Sequence, residues 1–273
     1  MAEFSLLIIV LFVLLGSCAG FLAGLLGIGG GILLVPLFLW AFPLAGFPPE
    51  IVVHAAFGTS LAIIVPTAIS STLGHRKRGN VNWRQVSFLA CGGVIGAILG
   101  ASFASQLSGD WLKLCFGIMQ IVVALRMYWA RKYLPPENTE AVAPALLLTV
   151  GLAGGCFSAF FGVGGGVVAV PLMVILVHLP VQLAVGNSSA LIVISSLAGA
   201  ISYLIHGLQI PNLPSGSVGY VNFLVVLLVA PFTILFARLG VRIAARLPHA
   251  KMVKVFSILL VIVGLRVIFR VIG

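Results

Sequence analysis

The sequence predicts an all-α protein embedded in lipid, and three observations carry that prediction. Only 7% of its 273 residues are charged while 61% are hydrophobic; a soluble domain carries about 25% charged residues, so this chain has too little polar surface to coat a globule in water. The stretch from Phe4 to Pro49 holds no charged side chain and exceeds the roughly 20 residues that one spanning helix needs. A glycine-rich phrase also occurs twice. Leu26-Gly27-Ile28-Gly29-Gly30-Gly31 runs into Ile32-Leu33-Leu34-Val35-Pro36-Leu37, and 135 positions later Phe161-Gly162-Val163-Gly164-Gly165-Gly166 runs into Val167-Val168-Ala169-Val170-Pro171-Leu172. Paired helix breakers at matching places in two membrane halves are what a sequence shows of a secondary transporter's binding region.

The repeat extends well past the glycines. Ala56-Phe57-Gly58-Thr59-Ser60 answers Ala184-Val185-Gly186-Asn187-Ser188, His75 answers His206, and Leu125-Arg126 answers Leu265-Arg266. Residues 1–133 therefore form one transmembrane repeat and 144–273 a second, joined by a linker at 134–143 containing Pro135-Pro136-Glu137-Asn138. The first repeat offers apolar elements at about 4–25, 30–45, 54–74, 85–107 and 111–130. The second offers them at about 144–161, 167–178, 182–205, 219–239 and 251–271. The second element of each set follows the glycines and is too short for a full span, which suits a half-helix or re-entrant segment. The first element reads as a membrane helix and not as a leader, because it continues into the glycine phrase with no basic residue before it.

Charge placement orients the halves. The net charge is +10, and the cations fall in short clusters between apolar runs, which marks cytoplasmic loops. Arg76, Lys77, Arg78 and Arg84 surround the loop after His75, whereas the matching loop from Gly207 to Gly219 is uncharged. Near 238–254 lie Arg238, Arg242, Arg246, Lys251 and Lys254, whereas the matching connection at 108–113 carries only Asp110 and Lys113. The basic loops swap places between the halves. An odd number of elements per half, hence two inverted repeats of five, brings every cluster to one side.

Three adjacent glycines in a helix cost about 1 kcal/mol each relative to alanine, so close packing or an open backbone must be what they serve. Unwound backbone at membrane depth is tolerated only where protein or a water-filled cavity satisfies it. The helix that restarts after each phrase presents N–H groups without intrahelical acceptors and a dipole that favours anions. Gly29, Gly30 and Gly31, with Gly164, Gly165 and Gly166, are thus candidate anion-binding residues. Thr59, Ser60, Asn187 and Ser188 are polar groups in apolar spans that can donate to a ligand's oxygens or hydrogen-bond between helices. His75 and His206 sit at matching helix ends, where capping or a headgroup contact competes with gating. His54, His178 and His249 read as loop residues without metal spacing. Arg126, Arg266 and Gln120 are polar groups in the last elements; the arginines either snorkel to the interface or face a path.

Other readings fail on chemistry. All five acids (Glu3, Glu50, Asp110, Glu137, Glu140) fall in termini or loops, which leaves no intramembrane carboxylate for cation binding or proton relay. No Gly-Lys-Ser/Thr, HExxH or GxSxG motif is present, so neither catalytic residues nor a cofactor is expected. Cys18, Cys91, Cys115 and Cys156 lie in apolar runs without CxxC spacing and suggest no metal. The basic charge is scattered among membrane loops, which argues against nucleic acid.

The duplicated GxGGG phrase, each with Pro-Leu about five positions on, and the matched Gly-Thr-Ser-type starts resemble the TauE/SafE family of sulfite and organosulfonate exporters. The resemblance covers the chain from about Leu6 to its C-terminus. It implies a multi-pass permease of the inner or plasma membrane for small sulfur-containing anions. Its partners would be that anion and the bilayer, with room for a homo-oligomer. The motif residues it carries over are Gly27, Gly29, Gly30, Gly31, Pro36, Gly58, Thr59 and Ser60, then Gly162, Gly164, Gly165, Gly166, Pro171, Gly186, Asn187 and Ser188. The expectation is a secondary transporter in which one half rocks against the other. A passive anion channel of the same fold and a non-transporting membrane scaffold are the alternatives.

Overall fold

In hydrocarbon, backbone N–H and C=O groups find no water, so a chain crosses only as helices or as a closed barrel. Long apolar runs without strand alternation select helices here. The computed structural model describes residues 6–26, 31–129, 142–244 and 249–272. They form α1 (Leu6–Leu26), α2 (Gly31–Leu44), α3 (Val52–Lys77), α4 (Trp83–Ser105) and α5 (Gly109–Trp129), followed by α6 (Pro144–Phe161), α7 (Gly166–Ile175), α8 (Val181–His206), α9 (Phe223–Ala244) and α10 (His249–Ile272). Between α8 and α9 two short strands, β1 (Ser217–Val218) and β2 (Val221–Asn222), pair antiparallel. The fold is all-α apart from this hairpin. Among the described residues five helices are long and apolar enough to cross a bilayer, so the protein is a multi-pass membrane protein.

The helices fall close to the predicted elements. α2 and α7 have 14 and 10 residues, about 21 and 15 Å at about 1.5 Å per residue, well short of the roughly 30 Å hydrocarbon core. One boundary corrects the sequence reading: α3 begins at Val52, so His54 is a buried helical residue and not a loop residue. The linker at 134–143 lies outside the described residues except for its last two.

Packing interlaces the first five helices with the last five. α4 lies along α6, α1 along α9, α3 against α8, and α5 against α10. Under the sequence match, α4 with α6 is the counterpart of α9 with α1. Directions follow from which residues meet. Gly16 abuts Val229 and Gly20 abuts Thr233, so α1 and α9 run parallel. Gly92, Gly96 and Gly100 abut Leu148, Leu152 and Cys156 in turn, so α4 and α6 also run parallel. In contrast α3 and α8 cross antiparallel, with Gly58 near Tyr203, Leu61 near Gly199, and the Ser71 and Ser189 hydroxyls 3.1 Å apart.

The α4–α6 seam shows why glycine recurs. A Cβ on Gly92, Gly96 or Gly100 would strike backbone carbonyls of α6, and one on Gly151 or Gly155 would strike those of α4. Backbones this close maximise dispersion contact, which drives helix association where lipid tails compete for apolar surface. Gly155→Val should therefore cost at least about 1–3 kcal/mol through overpacking, read as a lower thermal midpoint in detergent. Gly74→Ala, where an added Cβ meets nothing within 4 Å, should leave the midpoint unchanged or raised.

Candidate functional site

Local chain chemistry ends α6 at the second glycine phrase. Gly162 adopts the left-handed conformation at φ 67° and closes the helix, the N–H groups of Gly162 and Val163 both donating to the Ser158 carbonyl. Gly164 is left-handed again at φ 81°, a state that costs other L-residues about 1–2 kcal/mol. α7 then starts at Gly166; the Val168 and Ala169 N–H groups donate to the Gly165 carbonyl, which leaves those of Gly166 and Val167 without intrahelical acceptors. Gly165 packs on the Gly154 backbone, and a Cβ on Gly166 would sit 3.2 Å from Ser188 Oγ.

The first phrase meets the second. Gly31, the first residue of α2, lies so close to the Val163 carbonyl and the Ile64 side chain that no Cβ would fit. Ile64 and Ile192, from the crossing helices α3 and α8, close over Gly164. Gly29 and Gly30, with Gly27, lie outside the described residues. The starts of α2 and α7 thus converge beside the α3–α8 crossing.

Around this crossing several buried hydroxyls have no hydrogen-bond partner among the described residues: Ser60 on α3, Ser188 and Ser196 on α8, and Ser158 on α6. Ser60 and Ser188 occupy matching places in the repeat. Buried polar atoms are normally paired, so these orphans mark a polar lining. Ser158 and Ser196 were not singled out from the sequence, where nothing distinguishes a lone serine in an apolar run.

Thr59 and Asn187 have another job. Thr59 Oγ1 accepts the Asn222 backbone N–H at 3.1 Å, and Asn187 Oδ1 accepts the Asn82 backbone N–H at 2.8 Å. Each of these asparagines caps the helix it precedes. Asn82 Oδ1 accepts from the N–H groups of Arg84 and Gln85, and Asn222 Oδ1 accepts from that of Val225. Asn187 Nδ2 also donates to Gln85 Oε1 at 2.7 Å. Both predicted ligand donors are therefore clasps that pin α9 to α3 and α4 to α8. The sequence held the signal: Val81-Asn82-Trp83 and Val221-Asn222-Phe223 lie 140 positions apart, the offset shared by Arg126 and Arg266.

Gln120 is explained by a proline. Pro36 has no N–H to give the Ile32 carbonyl four residues earlier, and buried Gln120 supplies one instead, Nε2 donating at 3.0 Å. Its Oε1 stays unpartnered, and Leu260 stands at the matching place in the second repeat. His54 Nε2 sits 3.2 Å from the Ala104 carbonyl and its ring stacks on Tyr220. Tyr220 lies in the hairpin turn, where burial pushes its phenol up and keeps it neutral. His206 Nδ1 meets the Ser202 carbonyl at 2.7 Å, while Arg126 and Arg266 are exposed. Apart from Gln120, which is buried in mid-helix, these groups belong to helix ends and outer faces.

A polytopic α-helical protein with two short, glycine-led helices converging on a polar lining is the class this geometry defines. The chain belongs to the Sulfite exporter TauE/SafE family, which it matches over residues 12–267. It is similar to the probable membrane transporter protein of Haemophilus influenzae, at 29% identity over 96% of this chain and 98% of that one. It is also similar to the probable membrane transporter proteins YunE of Bacillus subtilis (28%, covering 96% and 97%) and MJ0441 of Methanocaldococcus jannaschii (30%, covering 95% of each). No solved structure matches the chain. The protein is a membrane transporter of this family, whose members are named as transporters and not as enzymes.

The clasps make a stability prediction. Thr59→Val keeps the shape but leaves the buried Asn222 N–H unpaired, and should cost about 1–3 kcal/mol in denaturation. Thr59→Ser, which keeps the acceptor, should cost less than half of that.

Proposed function

We propose that the protein is a secondary carrier of a small sulfur-containing oxyanion, sulfite or an organosulfonate, acting at the cell membrane by alternating access between inverted repeats. The observation that carries this reading is the convergence of the two glycine-led helix starts on buried, unpartnered hydroxyls. Helix N-termini and O–H groups both present positive ends to an oxyanion. Among the described residues no carboxylate is buried, so nothing of opposite preference stands nearby. The antiparallel crossing of α3 with α8, which match one another in sequence, supports the inverted arrangement, and the family's description supports the sulfur oxyanion.

In this mechanism the substrate's oxygens take hydrogen bonds at one helix start at a time, from the N–H groups beside Gly164–Gly166 with Ser188, or at the matching place of the other repeat from those beside Gly29–Gly31 with Ser60. Thr59 and Asn187 hold the surrounding helices in place.

Labelled sulfite efflux from proteoliposomes tests the proposal. Ser60→Ala and Ser188→Ala remove hydroxyls that have no partner among the described residues, so they should leave the thermal midpoint within a degree or two while cutting efflux about tenfold, the equivalent of one lost hydrogen bond of about 1.4 kcal/mol. Unchanged efflux in the double variant would reject this site. Accumulation against a sulfite gradient separates a carrier from a channel, which can only dissipate one.

A further inference from the structure

The packing says which parts can move. We infer that the moving units are not the two halves of the sequence but two helix-swapped bundles: α1–α3 with α9, and α6–α8 with α4. The remaining pair, α5 with α10, flanks the first bundle, α5 reaching α2 through Gln120 and α3 through Phe116 against Phe57. This inference rests on the carrier reading above and replaces the expectation that one half rocks against the other.

Three observations carry it. First, the swapped helices are joined to their hosts backbone on backbone. Gly20 of α1 admits the α9 backbone, and Gly92, Gly96 and Gly100 of α4 admit that of α6, with no space for a Cβ; Gly16 of α1 meets the Val229 side chain. Rocking whole halves would tear open both seams. Second, the Thr59–Asn222 and Asn187–Asn82 clasps tie each swapped helix to its host at a matching point. Third, Leu89 of α4 packs with Leu147, Val150, Ala169, Met173 and Leu191 of α6, α7 and α8 in an apolar cluster separate from the main core. One bundle thus has an apolar cluster of its own, beside the main core that it shares through Ala97 and Ala101 of α4 and Ile192 and Ala200 of α8.

The seam between the bundles differs in kind. Along α3 and α8 it is closed largely by side chains: Leu61 on Gly199, and Ser71 on Ser189. Backbones touch across it where the helices break, Gly31 against Val163 and Gly162 against Phe57. Side-chain contacts can be exchanged without unseating a helix, and packed interfaces of this sort switch between discrete arrangements. The proposed anion site lies on this seam, so parting its two ends in turn would expose the site to either side.

Disulfide locking tests the inference in a background with Cys18, Cys91, Cys115 and Cys156 replaced. Ser71→Cys with Ser189→Cys spans the seam, where the two hydroxyls are 3.1 Å apart. Gly16→Cys with Val229→Cys joins the two sequence halves inside one bundle. There a Cβ on Gly16 would sit 3.5 Å from Val229 Cβ, within the disulfide range of about 3.5–4.5 Å, and removal of the valine methyls makes room. Oxidation should cut sulfite efflux at least tenfold in the seam pair, with recovery on reduction, and change it less than twofold in the α1–α9 pair. Loss of efflux in both pairs would restore motion of half against half. Loss in neither, or only in the α1–α9 pair, would overturn the inference. If the unlinked proteins move no sulfite, the substrate reading fails instead. Spin labels at exposed positions then decide the motion in lipid. The Leu152–Leu235 distance, within one sequence half but across bundles, should be broad or bimodal, and the Ile95–Leu152 distance, within one bundle, narrow; the reverse pattern, or two narrow distances, would refute the bundles.

Discussion

An interrupted backbone deep in a membrane is the constraint from which the rest of this structure follows. An amide without a partner costs about 2–7 kcal/mol on transfer to an apolar medium, so a helix can stop there only if its neighbours shelter the break. Here the start of α2 shelters the break between α6 and α7. Gly31 lies on the Val163 carbonyl, and Gly162 and Gly164 take up left-handed geometry that lets the chain turn in a small space. Where Pro36 releases a carbonyl, Gln120 reaches from α5 to satisfy it.

Close packing against the breaks requires firm walls, and the interlaced pairs supply them. α1 with α9 and α4 with α6 are stacked at backbone distance, each through glycines, and an asparagine-capped helix start is clasped to a polar residue of α3 or α8. The same device appears twice with different chemistry, a hydroxyl at Thr59 and an amide at Asn187. Both accept one backbone N–H from the asparagine that begins the neighbouring helix. Backbone contact is thus closest within the α1–α9 and α4–α6 pairs, while Ser60, Ser188 and Ser196 stand unpartnered on α3 and α8 among the described residues.

Much of this was legible in the sequence. Long uncharged runs set the helix count and the approximate ends, because hydropathy is decisive where lipid is the solvent. The duplicated glycines marked the breaks, and the short elements after them became α2 and α7. Helix pairing was not legible: a helix that is apolar on all sides carries no stripe to show which face meets protein. For the same reason Thr59 and Asn187 were readable as polar residues in apolar spans, but not as clasps. Their partners Asn82 and Asn222 stood in a visible repeat whose meaning depends on α4 lying beside α8 and α9 beside α3. His54 was placed outside its helix because the turn preceding it, Val52 and Val53, continues the helix after a proline-rich loop without a capping side chain.

Ser188 and the glycine-led starts of α2 and α7 lie together beside the α3–α8 crossing, with Ser60 farther along it, and the proposed seam runs through the same place, which links binding to movement. A structure determined with selenite, a heavier oxyanion of similar shape and charge to sulfite, tests that link most directly. Anomalous density between Gly31 and Gly164–Gly166, within hydrogen-bonding reach of Ser60 or Ser188, is the expected result. Density confined to the arginine and lysine clusters of the loops, with none at the helix breaks, would contradict it.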